Sequence, residues 1–254
     1  MPQHQLTGNL DVNAPIGVIL PTYCEAQNIE GLITAIEKLP LNTSILVIDD
    51  SSPDKTADIV RNLQKKCDNI LLLVRPKKSG LGTALTDGFK TFLSLKNPPK
   101  FVMTMDADYS HNPKTIPQLV QNMQPGVGIV VGSRYCRGGN TAGWSWTRRI
   151  LSRTANIAAN SVVGLKVRDC TSGFRCYSTE FLKAAIGSLH SQTYEIQVET
   201  IRQAVSSGFK VVEVPILFVN RKRGKSKLKS GEIRGYASYI LKSTKKSRNN
   251  TCEG

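Results

Sequence analysis

Lys100-Phe-Val-Met-Thr-Met-Asp106-Ala-Asp108-Tyr-Ser-His-Asn112-Pro113 starts as a strand and ends as the entry to a helix. Its first half is a short apolar run with no Gly or Pro, the pattern of a buried strand. Asn112-Pro113 reads as an N-cap followed by proline at the first helical position. Asp106 and Asp108 therefore sit on a strand-to-helix turn, and in open α/β sheets ligands bind outside the carboxyl ends of the strands. Two carboxylates one residue apart can point to the same side and share a divalent cation. Such hard-oxygen ligation suits Mg or Mn carrying a diphosphate. Alone the pair is weak evidence, because acids at a strand end are often solvated residues that help a helix start.

On either side the same pattern recurs. Ile16-Gly-Val-Ile-Leu20 reads as a buried strand stopped at Pro21-Thr-Tyr-Cys-Glu25, and Asn28 caps a helix to Leu39. Ser44-Ile-Leu-Val-Ile-Asp-Asp50 is a second strand ending in acids, with a helix through about Lys66. Ile70 to Val74, a turn at Ser79-Gly-Leu-Gly82 and a helix from Thr83 to Leu95 follow, and Val127 to Gly132 is a further strand beyond the Pro113 helix. Strands alternating with helical patterns predict an α/β fold with a mostly parallel central sheet and helices on both faces.

After Ser133-Arg134 the alternation breaks. A glycine-rich stretch holds both tryptophans, Trp144 and Trp146, and leads into a helical pattern over 148–164 with Arg148, Arg149 and Arg153 at its start. Helices are expected over 195–207 and 232–242, and a strand over 211–219 interrupted at Pro215. The expected organisation is a loosely ordered lead-in over 1–15, one domain over 16–242 and a basic, disordered tail over 243–254.

The 254 residues carry a net charge of +15, and the excess is local. From Arg221 to Arg248 there are eleven Lys and Arg against one acid, Glu232. Such a segment favours polyanionic partners: nucleic acid, an anionic membrane surface or substrate phosphates. Nucleic-acid sites usually interleave stacking aromatics, and none occurs in this run before Tyr236, which argues against nucleic acid. The six cysteines form no C-x-x-C pair and match no histidine spacing, so neither zinc nor a disulfide framework is expected. No run approaches the ~18 apolar residues of a membrane span. Contact with a membrane is expected from the side.

Three strand ends now bring acids to one edge: Pro21-Tyr23-Glu25, Asp49-Asp50 and Asp106-Asp108. Clustered carboxylates repel unless a cation or ligand donors offset the charge. A dinucleotide fold needs G-x-G-x-x-G after the first strand, and Pro-Thr-Tyr-Cys-Glu stands there instead.

Leu20-Pro-Thr-Tyr-Cys-Glu-Ala-Gln-Asn28, Val47-Ile-Asp-Asp-Ser-Ser-Pro-Asp54, Gly80-Leu-Gly82 and Asp106-Ala-Asp108 together resemble the family 2 glycosyltransferases of GT-A fold. Gly132-Ser-Arg134, Arg148-Arg-Ile-Leu-Ser152, Asp169-Cys-Thr-Ser-Gly-Phe-Arg175 and Asn220-Arg-Lys-Arg-Gly-Lys-Ser-Lys-Leu228 narrow the resemblance to the dolichyl-phosphate mannose synthases of that family, of the type without transmembrane helices. The resemblance implies an inverting enzyme that moves mannose from GDP-mannose to dolichyl (polyprenyl) phosphate. Its product would be a β-linked mannosyl donor for protein glycosylation or glycolipid anchors.

By the same resemblance, Pro21, Tyr23, Glu25, Ile48 and Asp50 match positions that hold the guanine nucleotide. Asp106, Ala107 and Asp108 match the metal–diphosphate site, with Mg or Mn as cofactor. Many relatives have Gln where Ser110 stands, and a hydroxyl can still reach a metal directly or through water. Arg134, Arg148 and Ser152 match the acceptor-phosphate site, and Arg221 and Lys227 match cations that close over the sugar nucleotide. The implied setting is the cytosolic side of a membrane, endoplasmic reticulum or prokaryotic plasma membrane, with peripheral contact or small anchoring subunits.

Other readings stay open from residues alone. The arginines at 148, 149 and 153 can be a solvated helix face, and the two tryptophans can be core anchors rather than an interfacial surface. A polyprenyl-phosphate glucosyltransferase using UDP-glucose would need nearly the same machinery. A catalytically silent basic module would tolerate loss of Asp106 or Asp108, and a nucleotidyltransferase would need a glycine- and arginine-rich loop after the first strand.

Overall fold

Runs such as Ile45-Leu-Val-Ile48 and Ile70-Leu-Leu-Leu73 are buried along their length, as strands covered on both faces must be. The computed structural model describes residues 4–9, 13–163 and 167–221, with Gly235 and Tyr239. Its strands are β1 (Gln5–Thr7), β2 (Ile16–Thr22), β3 (Thr43–Asp49), β4 (Ile70–Val74), β5 (Phe101–Thr104), β6 (Val127–Ser133), β7 (Asn140–Ala142), β8 (Arg175–Ser178), β9 (Lys210–Pro215) and β10 (Leu217–Val219). Its helices are α1 (Ile29–Glu37), α2 (Thr56–Gln64), α3 (Leu81–Ser94), α4 (Ile116–Gln121), α5 (Trp146–Val163), α6 (Thr179–Ala185) and α7 (Ile196–Ser206).

Eight strands form one sheet in the order β1-β4-β3-β2-β5-β8-β6-β9. Only β1 and β8 run against the common direction. Alternate side chains of β2 serve opposite faces. Val18 and Leu20 pack with Ile29 and Ile33 of α1, Val60 of α2 and Ile116 of α4. Ile19 packs with Phe89 and Phe92 of α3, Phe181 of α6 and Ile201 of α7. The expected architecture, a mostly parallel sheet with helices on both faces, is therefore present.

One local expectation is corrected, one pairing was not anticipated, and one interruption is borne out. Gln5–Thr7, expected to be loosely ordered, pairs antiparallel with β4 as an edge strand. Simple alternation would set β6 beside β5, but β8 comes between them, so that Thr104 and Val131 both face Arg175. The strand expected over 211–219 divides at Pro215. Up to that residue it pairs with β6; the Ile216 carbonyl then accepts from Asn140 N at 2.9 Å, and Leu217–Val219 pair with β7 in a separate two-stranded ribbon. Lys227, the tail over 243–254 and, apart from Gly235 and Tyr239, the helix expected over 232–242 lie outside the described residues.

Candidate active site

The carboxyl ends of β2, β3 and β5 open into a cleft. Pro21, Tyr23, Glu25, Ile48, Asp50, Asp106, Ala107, Asp108 and Arg221 all line it, as do Lys78 and Tyr194, which the sequence reading passed over. Each of the three strand ends has the same backbone device. Cys24, Ser51 and Tyr109 follow Tyr23, Asp50 and Asp108 and take φ values of 57, 52 and 61°. This left-handed kink turns the chain sharply just beyond a side chain that lines the cleft, at a cost of roughly 1–2 kcal/mol per residue. Hydrogen bonds between the loops offset it: Cys24 N donates to Ser52 Oγ at 2.9 Å, Glu25 N to Thr56 Oγ1 at 3.0 Å and Ala26 N to Asp54 Oδ2 at 3.0 Å.

The adjacent acids at the end of β3 have different tasks. Asp49 is buried and accepts from Thr22 Oγ1, Ser52 N and Ser52 Oγ at 2.6–3.0 Å, which ties β2 to the β3 loop. Asp50 faces the cleft and is gripped by both arms of Arg75, with Nε–Oδ1 at 2.6 Å and Nη2–Oδ2 at 2.9 Å. Arg75 is itself buried and also donates to Asp87 at 3.1 Å and Thr83 at 2.8 Å. Sequence reasoning missed this residue. Its one signal was a cation placed directly after the apolar strand Ile70–Val74.

Gly80 and Gly82 prove to be packing glycines. The backbone of Gln192 closes over the start of α3, its carbonyl accepting from Gly82 N at 2.9 Å, and a Cβ on Gly82 would lie 2.2 Å from Ser191 O. Gly82→Ala usually gains up to about 1 kcal/mol in a helix. Here it is expected to lose roughly 1–3 kcal/mol through overpacking, seen as a lower Tm; an unchanged Tm would mean that the 191–193 backbone yields freely.

At the end of β5, Asp108 is buried, accepts from Ser110 N at 3.0 Å and pairs with Arg221, Nη2 to Oδ2, at 3.0 Å. The Asp106 side chain is 42% exposed. His111, which the sequence reading weighed only for zinc spacing, lies beneath the pair. Its Nδ1 accepts from Asp106 N at 3.2 Å and its ring is stacked on Phe174 with Phe218 against its edge. Burial pushes the imidazole down to about 4, against the opposing pull of Asp108. It is neutral at pH 7, carrying its proton on Nε2. The Ser110 hydroxyl is buried with no hydrogen-bond partner among the described residues. Two carboxylates and an unpartnered buried hydroxyl on one loop fit a Mg or Mn ion that takes its remaining oxygens from diphosphate and water.

Beyond Asp108 lie the residues expected to meet the acceptor. Arg148 stacks over Trp144 at 4.2 Å from the ring centre. Burial, then the like charges of Arg221 and Arg134, pull its pKa below the usual arginine value. Three cations from separate segments thus converge. Arg134 is less free than expected, because its fork is bidentate to buried Asp169 at 2.6 and 2.7 Å and also donates to Thr171 at 2.7 Å. Ser152 is half-buried one turn after Arg148 and does not line the cleft. Its carbonyl accepts from Asn156, whose side chain also holds Thr171 and Cys170 N.

Burial alone would raise the Asp169 pKa, but the charge and hydrogen bonds of Arg134 prevail and hold it below the usual carboxylate value. A lowered folded-state pKa contributes stability that is complete above the unfolded value of about 3.9 and is lost as pH falls through the folded one. Urea unfolding is therefore expected to show stability falling below about pH 4. Asp169→Asn should lessen that dependence while costing about 3–5 kcal/mol at neutral pH, since it leaves Arg134 buried beside a neutral partner.

The outer face of α5 carries exposed apolar side chains, with exposed Arg153 among them. Trp146 is 73% and Ile157 69% exposed, and Ile150 and Leu151 are exposed too. At about 100° per residue Trp146, Ile150 and Ile157 fall within roughly 40° of one another. Trp144, by contrast, is buried against Phe218. The two tryptophans therefore divide between the two readings the sequence left open. No helix among the described residues is long and apolar enough to cross a membrane.

The family model described as Glycosyl transferase family 2 matches residues 17–185. The chain is 36% identical over 219 residues to a polyprenol monophosphomannose synthase of Mycolicibacterium smegmatis, covering 85% of this chain and 82% of that protein. It is 32% identical over 216 residues to an undecaprenyl-phosphate mannosyltransferase of Micrococcus luteus, covering 85% and 88%. Among solved structures it resembles a Pyrobaculum calidifontis mannosyltransferase in complex with GDP-Man and Mn2+, with a TM-score of 0.57 at 19% identity over 86% of this chain and 60% of that one. A Mycobacterium tuberculosis glucosyl-3-phosphoglycerate synthase bound to Mn2+, UDP and glucosyl-3-phosphoglycerate gives a TM-score of 0.60 at 17% identity, over 92% of this chain and 80% of that one. These two likenesses concern the fold.

Proposed function

The chain belongs to glycosyl transferase family 2, and from that premise we propose that it transfers mannose from GDP-mannose to the phosphate of a dolichyl or other polyprenyl lipid. Similarity over 85% of its length to two enzymes named for mannosyl transfer to such lipids supports the reading. One observation carries it: Arg221, bound to Asp108 at 3.0 Å, also acts electrostatically on Arg148, so carboxylates suited to a metal–diphosphate border on a cation suited to a second phosphate.

The chemistry follows from those charges. A phosphate monoester has its second pKa near 6, so the acceptor is mostly dianionic at pH 7 and is its own nucleophile. Its oxygen forms a bond to the anomeric carbon as the bond to the diphosphate breaks, and GDP leaves. In-line attack on an α-linked donor gives a β-linked product. No general base is needed, and neutral His111, with Nδ1 committed to Asp106 N, does not offer one. Arg148 supplies a fork matched to phosphate. Arg134, its fork held by Asp169, adds charge and shape. Arg221 offsets charge gathering on the leaving group. Asp106 and Asp108, with Ser110, would hold a Mg or Mn ion whose contribution is to neutralise that same charge. The exposed apolar side chains of α5 suit peripheral contact with a lipid surface.

Purified protein is incubated with labelled GDP-mannose and dolichyl phosphate, with and without Mg or Mn, while UDP-glucose runs in parallel, and label is followed into the organic phase. Metal-dependent labelling from GDP-mannose is expected. Labelling from UDP-glucose alone would overturn the donor assignment, and none from either, with lipid and detergent varied, would overturn the reaction.

A further inference from the structure

Asn220 is exposed, yet every polar group it has within reach of a neighbour is engaged. Its N donates to Ala142 O at 3.0 Å, its Nδ2 to Gly143 O at 3.4 Å, and its Oδ1 accepts from Arg148 Nη1 at 3.1 Å. The residue before it, Val219, donates to Ser110 O at 3.1 Å, and the residue after it, Arg221, is the one paired with Asp108. One short segment therefore touches the loop of the carboxylate pair on one side and the start of α5 on the other.

The geometry points to Asn220 as a positioning residue that joins Arg148 to the segment bearing Arg221 and so sets the acceptor phosphate relative to the leaving diphosphate. Three facts support it. Arg148 and Arg221 are like charges close enough to act on one another, and the Asn220 amide joins the two segments that carry them. The Asn220 amide is neutral, so it holds Arg148 without cancelling the charge that an acceptor phosphate needs. A phosphate oxygen is also a stronger acceptor than an amide oxygen, so the acceptor can draw on the same guanidinium while the Gly143 and Ala142 bonds keep the segment in register.

The inference rests on the functional reading above, and the test separates the two. Transfer to a short-chain polyprenyl phosphate and hydrolysis of GDP-mannose to GDP and mannose are measured for wild type, Asn220→Ala and Asn220→Asp. Asn220→Ala is expected to lower the ratio of transfer to hydrolysis about 10–100-fold, the scale of a small misplacement of reacting groups. In Asn220→Asp a carboxylate would pair with Arg148 and compete with the acceptor. The acceptor KM should then rise about tenfold while kcat stays above that of the alanine variant. Parallel loss of transfer and hydrolysis in Asn220→Ala, or a wild-type ratio, would overturn the positioning role. A wild type that transfers nothing would overturn the functional reading and this inference with it.

Discussion

Asp108→Ala is expected to reduce metal-dependent transfer about a thousandfold, the upper range for losing one preorganised electrostatic group at a reacting centre. The effect is large because this carboxylate is buried, oriented by Ser110 N and paired with Arg221, so its removal both weakens the cation site and frees Arg221 from its 3.0 Å contact. Asp108→Asn, which keeps the shape, should lose nearly as much. Thermal unfolding of either variant should move by only a few degrees, since about 1 kcal/mol shifts Tm by roughly 2–4 °C in a chain of this size. Steady-state transfer and melting curves read both effects. Transfer at the wild-type rate would return Asp108 to a plain helix-start residue and remove it from the cation site.

Arg75→Ala should cost about 3–5 kcal/mol of stability, the usual penalty for removing one member of a buried ion pair. Burial alone would lower the Arg75 pKa, yet Asp50 and Asp87 raise it above the usual arginine value. Without the arginine those two carboxylates face a common space with no cation between them. Denaturant midpoints should show the loss directly. Arg75→Lys should recover part of it, restoring charge but not the fork that meets both Asp50 oxygens. If Arg75→Ala unfolds like wild type, solvent must reach Asp50 freely.

Legibility differed by the kind of interaction. Strands and helices of the first half could be read because their apolar runs and caps are local, as Asn112 shows: its side chain accepts from Lys114 N at 3.1 Å, the bond its cap reading requires. The carboxylate pair was legible for the same reason. Arg75 and the Asp169–Arg134 pair were not, because each joins segments far apart in the chain, and a charged residue carries no mark of its partner. The kinks at Cys24, Ser51 and Tyr109 were hidden for another reason: left-handed backbone is announced by glycine, and none of the three is glycine. The division of the strand at Pro215 was marked by proline, but the new partner, β7, lay in a stretch whose glycines read as loop.

The reversed strand β8 works as a spacer. Because β5 and β6 each pair with it rather than with each other, their ends stand two strand widths apart, about 10 Å at ~4.8 Å per step. Thr104 and Val131 meet the same Arg175, so the two parallel strands finish at nearly the same level. Asp106 leaves the first and Arg134 the second. The chain entering β8 fills the gap between them, Gly173 O accepting from Thr104 Oγ1 at 2.9 Å and Phe174 O from Gly132 N at 2.8 Å, so backbone itself sets the separation of the two chain ends.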